Sequence, residues 1–174
     1  AERLFQRFAA ERPEARLAVL RGCIVLGPHA DNFITRSFFQ PVMLGVSGHD
    51  PPLQFAHEDD VAEVLLRVLS DEVRGVLNLA APGVLSYSEV ARQAGRRLVR
   101  LPARLLAALT DITWRLRLQS QGTSAGLAFI RYPWVASGEK LQRELGYTFR
   151  YGTPEAVAAL RQAQGRAVRQ EPQL

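Results

Sequence analysis

A single cysteine, Cys23, leaves no possibility of a disulfide within the chain. A reduced, cytoplasmic setting is therefore the expected one. The sequence also has no apolar run near the roughly 20 residues that cross a bilayer, and no basic-then-apolar leader opens it. No membrane partner is expected. Aromatic residues are scarce, at 8%. None interleaves with the densest basic group, Arg96, Arg97 and Arg100, as stacking on nucleic-acid bases requires. Lysine is almost missing too: Lys140 stands alone, and the other cations are arginines spread through amphipathic segments. The net charge of +5 thus supports only non-specific attraction, and no nucleic-acid partner is expected.

What is present is the balance of a soluble globular protein, 47% hydrophobic and 22% charged over 174 residues. That length suffices for one domain with its own core. Residues 1–160 read as the domain and residues 161–174 as a polar tail that frays.

Hydrophobic spacing sets out the elements. The chain opens without a methionine inside a helical pattern, with Leu4, Phe5, Phe8 and Ala9 on one face, and Pro13 ends it. Residues 17–20 read as a buried strand, and residues 24–26 carry the apolar character on to the Gly27-Pro28 turn. Asp31-Asn32 can cap a short helix reaching Phe38 or Phe39, since a side-chain oxygen there accepts from free backbone N–H groups. Residues 42–46 and 53–56 read as short strands. Asp60 and Glu63 have capping-box spacing, opening a helix with Val61, Val64, Leu65, Val68 and Leu69 as its buried face. Residues 75–80 form a strand, and Ser86 with Glu89 caps a helix reaching about Arg97. This alternation of helices and strands argues for an α/β arrangement. Pro102 sits in the first turn of a helix with the face Leu105, Leu106, Leu109, Ile112 and Leu116. A polar loop follows over residues 119–126. Ser137 caps a helix closed by Gly146, and Thr153-Pro154 starts the last helix.

Five stretches carry a resemblance. Arg21-Gly22-Cys23-Ile24-Val25-Leu26-Gly27-Pro28 is similar to Arg-Pro-x-x-Val-Tyr-Gly-Pro, and Asp31-Asn32-Phe33-Ile34 to the short helix start after it. Phe55-Ala56-His57-Glu58-Asp59-Asp60-Val61-Ala62 is similar to Phe-x-His-Val-Asp-Asp-Val-Ala, and residues 75–80 to Gly-x-Tyr-Asn-Leu-Gly. Residues 137–147 resemble Asp-x-x-Lys-x-x-x-x-Leu-Gly-Trp. In this order the five resemble the NAD-dependent epimerase/dehydratase family, the extended short-chain dehydrogenases/reductases, over roughly residues 1–160.

The resemblance implies the C-terminal part of that fold: the last strands and helices of a Rossmann-like sheet plus a small substrate-binding subdomain, with the nucleotide-binding half missing. It implies NAD or NADP as cofactor of an intact parent, with Gly22, Cys23 and Ile24 on the nicotinamide side and Asn32 and Phe33 facing substrate. No glycine-rich strand-to-helix turn of the kind that holds a pyrophosphate is present, so no cofactor is expected for this chain alone. The family's Tyr-x-x-x-Lys pair is also absent. Four residues beyond Tyr87, Tyr132, Tyr147 and Tyr151 stand Ala91, Ala136, Tyr151 and Glu155. The opening Ala1-Glu2-Arg3-Leu4 resembles the helix just past the missing lysine, and no catalytic residue is expected.

The expected function is thus a fragment of an NAD(P)-dependent epimerase/dehydratase or reductase that contributes the substrate-binding region and is not catalytic alone. The alternative is a non-catalytic α/β interaction module that has lost its nucleotide half. Ile24 and Leu53 stand where many nucleotide-sugar enzymes carry asparagine and arginine. An apolar side chain offers no charge-assisted bond to phosphate, so the small-molecule substrate is expected to be a sugar derivative or a more apolar compound. A homodimer through the first helix is expected from the uncovered Leu4, Phe5 and Phe8. Cys23, embedded among apolar neighbours, reads as packing and not as a nucleophile. The run His57-Glu58-Asp59-Asp60 reads as a helix start and packing, with no metal expected. His29 and His49 sit in loops without a partner at any suggestive spacing.

Overall fold

The computed structural model describes residues 2–32, 34–36, 40–118 and 123–170, the last five of these by backbone alone. The first helix, α1, spans Glu2–Glu11 and is followed by β1 (Ala18–Gly22) and β2 (Ile24–Leu26). After a helical turn at residues 34–36 come β3 (Val42–Val46), β4 (Pro52–Leu53) and β5 (Phe55–His57). Helix α2 (Glu58–Ser70) leads to β6 (Gly75–Leu79), β7 (Leu85–Ser86), α3 (Tyr87–Gln93) and β8 (Arg97–Leu101). Helix α4 (Ala103–Arg115), a 3-10 helix (Ser124–Ile130), α5 (Glu139–Leu145) and α6 (Thr153–Gln170) complete the chain.

The strands pair two by two. β1 with β6, β2 with β5, and β3 with β8 are parallel, and β4 with β7 is antiparallel. Parallel pairs need long crossovers, and α2 lies in the connection from β1 to β6. The apolar spacing of α2 buries Val64 and Val68 with Leu77, Leu141 and Tyr147 in one core cluster. A second cluster gathers Leu26, Leu53, Phe55, Val90 and Leu160.

Several sequence expectations meet this frame differently. β1 is half-buried rather than buried, because among the described residues β6 is its one strand partner. The stretch expected as one strand over 53–56 is two, broken at Gln54. α3 ends at Gln93, where Gly95 at φ 70° turns the chain and the Arg96 N–H closes on the Ala91 carbonyl at 2.8 Å. The residues beyond form β8, which the helical reading did not foresee. Leu65 and Leu69 of α2 are exposed, as are Leu105, Leu109, Ile112 and Leu116 of α4, where Leu106 alone is buried. Other details match: Ser86 Oγ caps α3 by accepting from the Glu89 N–H at 3.2 Å. Gly146, at φ 55°, closes α5 in the left-handed conformation glycine adopts without a Cβ penalty. α6 runs on to Gln170, and its Gln164 is buried, accepting from Arg96 at 2.6 Å.

Candidate functional site

The strand pairing itself creates the site. At Cys23 the chain leaves β6 for a new partner: Gly22 lies opposite Leu79, and Ile24 opposite Phe55. The Cys23 N–H bonds the Leu79 carbonyl at 3.0 Å and makes the step between the two pairs. Gly22 to Ile24 therefore sit at the carboxyl end of β1 and β6, the edge where ligands bind in parallel α/β sheets. Gly22 is exposed, and a Cβ there would meet nothing within 4 Å. Cys23 is half-buried, and its burial pushes the thiol pKa up, away from nucleophilic thiolate. Ile24 packs against the core around Phe55.

Asn32 follows β2. Its Oδ1 accepts from the N–H groups of Ile34 and Thr35, both at 3.0 Å, and its Nδ2 donates to the Val25 carbonyl at 2.8 Å. The cap expected at Asp31-Asn32 is thus built by Asn32, while Asp31 pairs with Arg36 at 2.7 Å. Phe33, Phe38 and Phe39 lie outside the described residues.

The start of α2 differs from the capping box expected of Asp60 and Glu63. His57 is the cap, its Nδ1 accepting from the Asp59 N–H at 3.2 Å. Asp60 is turned inward and fully buried. It accepts from the Tyr147 hydroxyl at 2.5 Å and from the N–H groups of Arg150 and Tyr151 at 3.0 Å each. Glu63 instead pairs with Arg67 at 3.1 Å and Arg150 at 3.4 Å. His57 is 3% exposed and stacks on Tyr151 with centroids 3.9 Å apart, a cap and a packing residue together. Among the described residues no group of three His, Cys, Asp or Glu side chains can hold a metal.

Two contacts at this edge have no signature in the sequence. The buried Gln54 amide donates to the Ala81 carbonyl at 2.6 Å and accepts from the Ala136 N–H at 2.9 Å, joining three segments. Glu58 takes both the backbone N–H and the Nδ1 of His29, the ring at 2.8 Å, and packs against Gly27. Both link residues 27 or more positions apart, which no local spacing reveals. Leu53 is 3% exposed in the core and faces no open surface. Its apolar character is explained by packing and carries no information about a substrate.

Tyr87 and Tyr147 are poorly suited to act as general bases. Burial raises the Tyr87 pKa to about 12, and its hydroxyl donates to the Leu44 carbonyl at 2.8 Å. Burial and the Asp60 bond raise Tyr147 likewise. Among the described residues no helix is long and apolar enough to cross a membrane.

No protein-family model matches the chain. An uncharacterized protein of Mycobacterium tuberculosis is 30% identical over 145 residues, covering 83% of this chain and 38% of that protein. A second uncharacterized protein of the same organism is 32% identical over 117 residues, 66% of this chain and 14% of that one. The chain thus spans well under half the length of these curated relatives. Among solved structures, MoeE5 in complex with UDP-glucose and NAD matches at TM-score 0.67 and 24% identity, over 96% of this chain and 53% of that one. UDP-glucose 4-epimerase from Bifidobacterium longum, in complex with NAD+ and UDP, matches at TM-score 0.66 and 15% identity, over 95% and 52%. The human epimerase family protein SDR39U1 with NADPH matches at TM-score 0.57 and 24% identity, over 87% and 49%. The chain has an α/β fold similar to about half of each of these solved structures.

Proposed function

We propose that the chain is the C-terminal, substrate-side part of a longer NAD(P)-dependent epimerase, dehydratase or reductase, and that it is not catalytic alone. The observation that carries this reading is the match of nearly the whole chain to about half of proteins whose structures hold NAD or NADPH. In the parent, the dinucleotide would supply hydride transfer. The open space over Gly22 would take the nicotinamide end of such a group, while no glycine-rich strand-to-helix turn for its pyrophosphate stands among the described residues. Gly22, Cys23 and Ile24 would border the nicotinamide by their backbone, and Ile24 is packed against the core. Asn32 fixes the turn after β2, and a substrate contact for Phe33 rests on the family resemblance alone. Asn32 acts as a positioning residue, since both polar atoms of its side chain are already bonded within the chain. The substrate class is a small molecule related to the sugars, and the setting is the cytoplasm.

The exposed Leu4, Phe5 and Phe8 of α1 are the surface for a homodimer of the parent. Calorimetric titration of the 174-residue chain with NAD(H) and NADP(H) tests this reading. No binding heat is expected, and clear binding by the chain alone would overturn it.

A further inference from the structure

The chain's positive charge is not spread evenly. Residues 96–118 hold six arginines and one carboxylate, Asp111. Their excess of five equals the net +5 of the whole chain. This stretch contains α4, whose outer face is an apolar stripe. Leu105, Leu109, Ile112 and Leu116 recur at steps of four, three and four, which stacks them on one side of a helix. They are 44–64% exposed, whereas Leu106, on the inner side, is 2% exposed. The polar side chains of the helix are committed elsewhere. Asp111 accepts from the Ser124 N–H at 2.8 Å, and the Thr110 and Thr113 hydroxyls donate to the Leu106 and Leu109 carbonyls, both at 2.8 Å. Arg104 and Arg115 flank the stripe and Arg117 lies just beyond it. Among the described residues no carboxylate pairs with any of these three.

We propose that the outer face of α4 is a docking surface for an anionic lipid membrane, on which the protein lies without spanning. An apolar stripe bordered by unpaired arginines, with its one acid tied inward, is the arrangement that seats a helix at the headgroup boundary of a charged bilayer. Unpaired cations of one sign disfavour a second copy of the same face, where like charges would meet across the contact. This departs from the expectation of no membrane partner: a helix lying on the surface needs no spanning segment. The apolar face of α1 is distinct from it: α1 is tied to β1 through Glu2 and Arg21, and its Arg3 and Arg7 are matched in number by its own Glu2 and Glu11, so the helix carries no net positive charge.

Flotation with phosphatidylcholine vesicles containing one part in four phosphatidylglycerol tests this, using both the chain and its full-length parent. Both should float with these vesicles and remain below with phosphatidylcholine alone, and binding should fall as salt rises. Leu109→Glu with Ile112→Glu should cut the bound fraction at least tenfold, with the circular dichroism spectrum unchanged. Arg115→Gln with Arg117→Gln should weaken binding to the anionic vesicles alone. Leu69→Glu, on the exposed side of α2, should leave flotation as it was. Absence of flotation, equal binding by the α4 variants, or binding by the chain but not the parent would overturn the proposal. So would a dimer in light scattering that the α4 variants abolish, since a second copy would then own the face.

Discussion

Asp60 is the side chain that ties the start of α2 to the segment leading into α6. Its carboxylate, fully buried, is the shared acceptor of the Tyr147 hydroxyl and two backbone N–H groups. Removing it leaves three donors without a partner, and each buried unsatisfied donor costs ~1–3 kcal/mol. Asp60→Ala should therefore lower stability by at least ~3 kcal/mol in urea unfolding, and Tyr147→Phe by clearly less, since it removes only one donor. Tyr87 gives a pH signature. Free tyrosine ionises near pH ~10, and burial moves Tyr87 to about 12. A raised folded pKa means that its contribution is whole below pH ~10 and shrinks as pH climbs toward the folded value, by ~1.4 kcal/mol per unit. Tyr147 is raised too and adds a slope of the same sign. Unfolding free energies between pH 9 and pH 12, approximate limits set by those two values, should fall less steeply for Tyr87→Phe than for the wild type. An equal slope would show that Tyr87 does not titrate with unfolding.

Among the elements, those closed by local chemistry were legible in the sequence. The Ser86 cap, the Gly146 stop and the strand before Ala80 rest on residues adjacent to the feature they specify. What depended on distant partners was not. β8 is a strand because Gly95 ends α3 and because β3, more than 50 positions earlier, offers a parallel edge from Val42↔Arg97 onward. Asp60 reads as a cap from its spacing, yet the donors from Tyr147, Arg150 and Tyr151 draw it inward and leave the cap to His57. Leu53 reads as a clue to the substrate until its burial beside Phe55 shows a core residue. Gly138 shows the same dependence from the other side. A Cβ at Gly138 would overlap the Ala80 carbonyl oxygen, on which the segment leading into α5 is laid. Backbone cannot yield as a flexible side chain does, so Gly138→Ala should cost ~1–3 kcal/mol, read as a lowered thermal midpoint. Gly22→Ala, with open space around it, should leave stability within ~0.5 kcal/mol of the wild type.

The whole molecule presents three unlike surfaces: the apolar face of α1, the arginine-flanked face of α4, and the carboxyl edge where β1 passes into β2. A chain that matches about half of its solved neighbours is expected to leave such faces for other parts of a parent or for partners. The central claim concerns the third surface, that it borders the nicotinamide of a bound dinucleotide in the full-length protein. The direct measurement is titration of NAD(H) and NADP(H) into the full-length parent and its Gly22→Leu variant, with thermal midpoints recorded for both. The account predicts that the parent binds one of the two and that the variant binds at least tenfold more weakly at an unchanged midpoint, because a leucine there fills space the fold leaves empty. Equal affinity in the two proteins would contradict it.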